Sequence, residues 1–404
     1  MALRRFIAAR LHAWVAALAA GGLGLSCDLG PSGSAAKSRG FTEVIVEDDA
    51  LPKPWGKALG DLDGDGNLDA LVGLFGAGVY WYRYPDWEKF LVHPDHGGDD
   101  LKASDVDGDG HQDVVSNGSA IVWYRNPRAS GKDPHGIWEA KVVYGKRGSH
   151  DLIVEDVDRD GRKDIATRVE NGATWLFFQK SPGNWTQRTL NRGSGGTGMA
   201  LGDIDGDDRT DVVGNGYWLR QPKDAAAGEW DRFDFAEWTT TSAVGVADMN
   251  GDGRRDIFLA VGHGDGTLCW FESPGDPTRG DWKQHPLGEA GFVHRFHLAD
   301  MDKDGDLDVV FAEQTGAASP RVGIFVNADG KGLAWETVVI ANAGSHNIDL
   351  GDVERDGDLD ILGADWTGDS RLKVWENGGL LYNRVDQNPR HVPPQDAPAS
   401  DTVR

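Results

Sequence analysis

Basic residues and cysteines are what this chain is short of. Forty-one Lys and Arg stand against 65 Asp and Glu in 404 residues, a formal net charge of −24. Phosphate binding needs a basic face, so nucleic acid is excluded as a partner. Two cysteines, Cys27 and Cys269, are too few for a disulfide framework. Cys269 lies in the apolar stretch Thr267–Phe271 and reads as a buried, inert thiol. No Gly-rich phosphate loop and no Ser or Cys triad motif stands out. Gly (56 residues) and Trp (16 residues) are abundant instead, which suits an all-β chain with many turns.

The amino terminus is of another kind. Arg4, Arg5 and Arg10 precede an Ala/Leu-rich run ending at Leu23-Gly24-Leu25-Ser26-Cys27. It is too short for a spanning helix, so residues 1–26 read as an export signal. Leu, Ser and Cys at its end resemble a lipoprotein cleavage box, and both lipidation at Cys27 and ordinary cleavage stay open. A membrane is expected only through that anchor. Residues 27–40 read as a flexible tether and 384–404 as a disordered tail. The expected location is periplasmic, cell-surface or extracellular.

Between them, over residues 41–383, one pattern recurs: Asp-x-Asp-x-Asp-Gly-x-x-Asp followed by a short apolar run. Its copies begin at Asp61, Asp105, Asp156, Asp203, Asp248, Asp300 and Asp352, at spacings of 44 to 52 residues. Such a period means propeller blades or a solenoid. Each unit offers four strand-like pieces. The third carries an aromatic pair such as Trp81-Tyr82 or Trp123-Tyr124, and the fourth usually opens with Trp, as at Trp138 and Trp230. Four strands per unit predict an all-β, seven-bladed propeller. After the seventh Asp loop only three strands remain, ending near Glu376, while one spare strand, Phe41–Val46, precedes the first loop. The spare strand is therefore expected to complete the last blade and close the ring, leaving no long open edge.

Hard cations take six to eight oxygens, and Asp at alternate loop positions turns several carboxylates inward. The candidate ligands at positions 1, 3, 5 and 9 are Asp61, Asp63, Asp65 and Asp69 in the first copy and Asp105, Asp107, Asp109 and Asp113 in the second. Asp156, Asp158, Asp160 and Asp164 follow, then Asp203, Asp205, Asp207 and Asp211, then Asp248, Asn250, Asp252 and Asp256. The last two copies supply Asp300, Asp302, Asp304 and Asp308, and Asp352, Glu354, Asp356 and Asp360. Up to seven structural calcium ions are expected. Gly at position 6 permits the sharp turn, and the fourth copy has Asp208 there.

These repeats resemble the FG-GAP and VCBS repeats of integrin α-chain propellers and many bacterial exported proteins. The resemblance implies that the Asp loop joins the innermost strand of each blade to the second strand, on the lower face. The fold hosts adhesion, lectin and lyase functions and does not choose among them.

If the first strand is innermost, its start lies at the opposite mouth of the channel. Six residues before each leading Asp stand Trp55, Asp99, His150, Thr197, Ser242, His294 and His346. Three converging imidazoles are a ligand set for one axial divalent metal, a transition metal or magnesium. Units written Trp123 to Pro127, Trp138, Ser149-His150-Asp151 are similar to the propeller of fungal aldos-2-ulose dehydratase/isomerase. That resemblance implies an axial metal, mapped to His150, His294 and His346. The second strand returns to the same face with Arg168 and Glu170, Glu313 and Gln314, and Asp365 and Trp366. The expected roles are Glu313 or Asp365 as base. Arg168 or Arg295 would hold the substrate, and Trp55, Asp99 and Trp366 would form its walls. The partner class is carbohydrate. Two functions stay open: a metal-dependent sugar dehydratase, lyase or isomerase, or a non-enzymatic lectin or adhesion propeller.

Overall fold

The computed structural model describes residues 40–146, 149–169, 172–191, 196–238 and 241–379. The expected export signal, Cys27, the tail and Glu170 lie outside the described residues, as does the tether except for Gly40. From Phe41 onward the chain forms seven four-stranded antiparallel sheets. Six are built from consecutive strands. The seventh combines Asn347–Gly351, Asp360–Ala364 and Leu372–Asn377 with the amino-terminal strand Phe41–Glu47, which pairs antiparallel with Leu372–Asn377. The spare strand thus closes the ring. Two strands, not three, follow the seventh Asp loop; the count of three holds for the blade, whose inner strand precedes its loop.

The first strand of each blade is innermost: Pro54–Gly60, Leu101–Ser104, Ser149–Glu155, Ala200–Gly202, Ser242–Ala247, Val293–Ala299 and Asn347–Gly351. First strands of neighbouring blades touch one another, as Pro54–Gly60 does with both Leu101–Ser104 and Asn347–Gly351. Second strands are buried on both faces, and their period of two deals side chains to both sides. In blade 1, Ala70, Val72 and Leu74 enter the cluster shared with blade 7, while Leu71 enters the one shared with blade 2. Seven such clusters, one between each pair of neighbouring blades, make a continuous annular core. The Trp residues heading the fourth strands fill its outer corners. Trp138 and Trp230 are buried and donate Nε1–H to Pro134 O at 2.8 Å and Ala225 O at 3.1 Å.

The Asp at position 9 ties each blade together. Asp69, Asp113, Asp164, Asp211, Asp256, Asp308 and Asp360 are at most 1% exposed. In every blade its Oδ2 accepts the N–H of position 2 of the loop, as from Val106 at 3.2 Å. Its Oδ1 accepts an N–H at the end of the third strand, as from Asn126 at 2.7 Å. In several blades the residue giving that second N–H also reaches the preceding blade. Asn126 Nδ2 donates to Leu62 O at 2.9 Å, Gln179 Nε2 to Val106 O at 2.9 Å and Gln221 Nε2 to Val157 O at 2.9 Å. Asp308→Ala would leave two buried N–H groups without acceptors, a loss of about 2–4 kcal/mol. Urea unfolding of that variant measures it.

Position 6 has φ between +86° and +93° where it is Gly, and Asp208 adopts +64°. A side chain in this region is strained, although Asp tolerates it better than most residues. Asp208→Gly is expected to raise stability by about 0.5–1 kcal/mol in chelator, read from the urea midpoint.

Candidate functional site

Each leading Asp accepts the N–H of position 6, from Gly66 to Asp61 at 3.1 Å through Gly357 to Asp352 at 3.0 Å, so the loop curls around its own first carboxylate. In loops 1 to 4 the acids at positions 1, 3 and 9 bring ligand oxygens within 4.8 Å of one another. Loop 6 does so with Asp300, Asp302 and Asp304. Burial, with neighbouring loop acids adding to it, pushes the closing carboxyls up, to about 7 in Asp69 and Asp113 and about 8 in Asp211 and Asp308. Asp61, Asp107, Asp158, Asp205, Asp302 and Asp352 each keep a buried, unpartnered Oδ1. Crowded carboxylates that each keep an unpartnered oxygen suit a hard cation.

The opposite end of the inner strands opens into a cavity of about 490 Å³. Trp55, Asp99, His150, Thr197, His294 and His346 all line it, so the register brings six of its seven positions to one place. Ser242 starts its inner strand as well, but its side chain is not described. His294 is the hub. Its ring lies 5.5 Å from His150, 4.6 Å from His346 and 4.5 Å from His263. His263 was not foreseen. It follows the second strand of blade 5, Asp256–Val261, which returns to the mouth, and inspecting that strand end as in blades 3, 6 and 7 would have found it. Beside them Trp55 stacks on His346 at 5.5 Å and on Phe75 at 4.3 Å, and meets Trp366 edge-on at 6.3 Å. Both indole Nε1 atoms, His150 Nδ1 and His294 Nε2 are buried without hydrogen-bond partners.

Burial and the neighbouring imidazoles hold His294 well below the usual imidazole range. Burial and the Lys57 charge do the same to His346. His150 differs: burial disfavours its charge, but Asp151, 3.5 Å away, more than offsets this and raises it. Asp151 is fixed by the N–H of Gly198 at 2.7 Å. His294, held neutral and with a free Nε2, is the donor type that borderline metals take. Among the described residues, however, the triplets of ligand atoms within 4.8 Å all belong to Asp loops, and the imidazoles of the mouth form none.

Four expected contributors stand off the cavity wall. Glu313 is clamped by Arg321, whose Nε and Nη2 donate at 2.8 and 2.9 Å. Asp365 accepts from Thr315 Oγ1 at 2.6 Å and from Trp366 N at 2.8 Å, and it reaches the cavity only through those two wall residues. Arg168 is fully buried and donates to Gly196 O at 2.8 Å and to the Tyr217 hydroxyl. Arg295 crosses the channel from blade 6 to pair with Asp100 of blade 2, and it lines a second cavity of about 370 Å³ among the inner strands. His294 lines both cavities.

A family model for the FG-GAP-like repeat matches residues 105–167, 156–214 and 248–311. The chain carries FG-GAP-like repeats in a seven-bladed β-propeller. Among curated proteins none matches. Among solved structures, those of BBS1N in complex with ARL6DN are similar to this FG-GAP propeller. The mercury-soaked crystal has a TM-score of 0.53 at 14% identity and covers 84% of this chain and 96% of that one. The lead-soaked crystal has a TM-score of 0.52 at 13% identity and covers 84% and 98%. At such identity the likeness is one of fold.

Under the mouth of this FG-GAP ring lies Lys57, 1% exposed, donating to Ala364 O at 2.8 Å and Trp55 O at 3.3 Å. Burial pulls its amine from the ordinary 10.5 to about 7, against the pull of Asp365 and Asp100. Between those values the unfolded chain binds the extra proton, so stability rises with pH from about 7 towards 10.5. Lys57→Met is expected to remove that slope and to be the more stable form at pH 7. Urea unfolding of both proteins at pH 7 and 9.5 compares them.

Proposed function

We propose that this FG-GAP propeller is exported, is braced by calcium in its Asp loops, and uses its channel mouth as a metal-dependent site for a sugar or uronic acid. The reaction class is elimination or isomerisation beside a carbonyl. One observation carries the reading: one asymmetric cavity is lined by four imidazoles and by the adjoining indoles of Trp55 and Trp366. Indole faces suit the C–H faces of pyranose rings, and their unpartnered N–H groups suit hydroxyls. Asp99, Thr197 and Thr315 add polar groups on the same wall. His150, His294 and His346 would hold the divalent ion, and a bound ion there supplies a Lewis acid for a carbonyl oxygen. Asp151 orients His150 from behind. The basic, Ala/Leu-rich start of the chain supports export.

A second reading is favoured by the ties of Glu313 to Arg321 and of Asp365 to Thr315, which take both candidate bases off the wall. It is carbohydrate binding without chemistry, as in a lectin or adhesion propeller. Metal analysis and a panel of keto-sugars and uronic acids separate the two. On the enzymatic reading, wild type carries one non-calcium divalent ion per chain and turns over a panel member. His294→Ala then loses both ion and turnover while Trp fluorescence still reports sugar binding. Sugar binding abolished by Trp55→Ala, with no such ion and no turnover in wild type, would leave the lectin reading.

A further inference from the structure

The seven Asp loops are alike in their own residues but differ in what the third strand brings to them. The N–H received by Oδ1 of the closing Asp fixes an equivalent position in every blade, and the residue before it stands beside the loop. In blades 2 and 4 that residue is arginine. Arg125 Nε donates to Asp107 Oδ2 at 2.5 Å and its Nη2 to Asp109 Oδ2 at 2.9 Å, so one guanidinium spans positions 3 and 5. Arg220 pairs with Asp205 at position 3 and lies 3.9 Å from Asp207 at position 5. Asp207 is also held by Arg209, so both inward acids of loop 4 have a cation of the chain.

The other blades lack this arrangement. Phe178 of blade 3 and Val326 of blade 6 stand at the same position and carry no charge. Arg83 of blade 1 turns to Glu88 at 2.9 Å, and Glu272 of blade 5 to His285 at 2.9 Å. Blade 7 has an acid there, Glu376. In blade 3 Arg162 pairs with Asp160 at position 5, but position 3 has only Lys180, 3.6 Å from Asp158 and without a hydrogen bond to it. Loop 6 shows the contrast most clearly. Asp302 is 4% exposed, its Oδ1 has no partner, and no cationic side chain pairs with it among the described residues.

We propose that Arg125 and Arg220 take the place of the ion in blades 2 and 4, so that these two loops are closed by the chain's own guanidinium groups and do not take calcium at concentrations that fill the other five. The proposal rests on the reading that the Asp loops bind calcium. Its physical basis is charge and space together. Of the two acids the guanidinium meets, the one at position 3 is the more enclosed, 3% exposed at the side chain in Asp107 against 21% in Asp109, and 4% in Asp205 against 19% in Asp207. A divalent ion entering there must displace a guanidinium from a buried carboxylate or share the site with a like charge. Asp107 and Asp205 each retain one unpartnered oxygen. The loops therefore keep the means to bind an ion once the guanidinium is removed. The two blades so closed flank blade 3, whose inner strand carries His150 and Asp151. That side of the ring would keep its shape when calcium is scarce.

The test is calcium stoichiometry of the full chain after chelator stripping, by equilibrium dialysis with metal analysis. Wild type should saturate at five ions per chain. Arg125→Gln and Arg220→Gln should each gain one, and the double variant two. A second set of variants does not depend on the arginine replacements folding. Asp107→Asn and Asp205→Asn should leave the wild-type stoichiometry unchanged, whereas Asp302→Asn should lose one ion. Seven ions in wild type, or loss of an ion in Asp107→Asn or Asp205→Asn, would overturn the proposal while leaving calcium binding intact. No calcium on wild type would instead overturn the calcium reading itself, and this proposal with it.

Discussion

The position-9 aspartate is the point on which each blade depends. It is a buried carboxylate, costly to place in an apolar ring, and its two oxygens accept N–H groups from two different parts of the blade. One bond holds the start of the Asp loop and the other holds the end of the third strand. The loop is therefore not a solvated turn but a strut between the first three strands. Where the third-strand partner is Asn126, Gln179 or Gln221, its side-chain amide continues the strut into the preceding blade. The annular core supplies most of the non-directional stabilisation. The aspartate network adds a directional pin to the register that the alternating apolar side chains already favour.

Register is what converts seven similar strands into one dissimilar site. A strand rises about 3.3 Å per residue, so counting six residues back from a pinned aspartate reaches a point roughly 20 Å up the channel. The count arrives at the mouth in every blade whose side chain there is described. The repeats supply equal positions around an axis, and the residues placed on them break the symmetry. Imidazoles from blades 3, 5, 6 and 7 gather on one another, Trp55 of blade 1 stacks on His346 of blade 7, and Trp366 of blade 7 meets Trp55. Beneath, charges from four blades meet in the channel, with Arg295 reaching Asp100 and Lys57 lying near Asp365. These pairs join blades far apart in sequence and give the cavity a polar foundation.

The sequence makes plain what repeats and hides what does not. Seven Asp motifs, four strands per unit and a spare strand at Phe41 are visible because each recurs or is conspicuously missing from a recurrence. The His register was legible for the same reason, since His150, His294 and His346 share an offset from a recurring landmark. His263 has no such companion, because loop lengths at the mouth vary and carry no common count. The roles expected of Glu313, Asp365, Arg168 and Arg295 failed to predict their surroundings for a related reason. Position along a strand says which end of the ring a residue occupies, but not whether Arg321, Thr315, Tyr217 or Asp100 already holds it. Those partners lie on other strands or other blades, and no local pattern announces them.

Asp loops and mouth sit at opposite ends of the same seven inner strands, and this sets how one can influence the other. Each inner strand is a short rigid rod, paired along its length to a second strand buried on both faces. A change in charge at the loop end cannot be absorbed by bending such a rod. On the reading that the Asp loops bind calcium, such a change would be resisted or passed on as a shift along the strand axis, altering how His150, His294 and His346 face one another. A loop closed by an internal arginine would resist by construction, because its counter-charge cannot dissociate, and a loop that relies on an outside ion would not. Blades 6 and 7, which supply His294 and His346, belong to the second kind, and blade 7 adds Glu376 beside Glu354 and Asp356. On that reading the order of the mouth would be tied most closely to the ion state of those two blades.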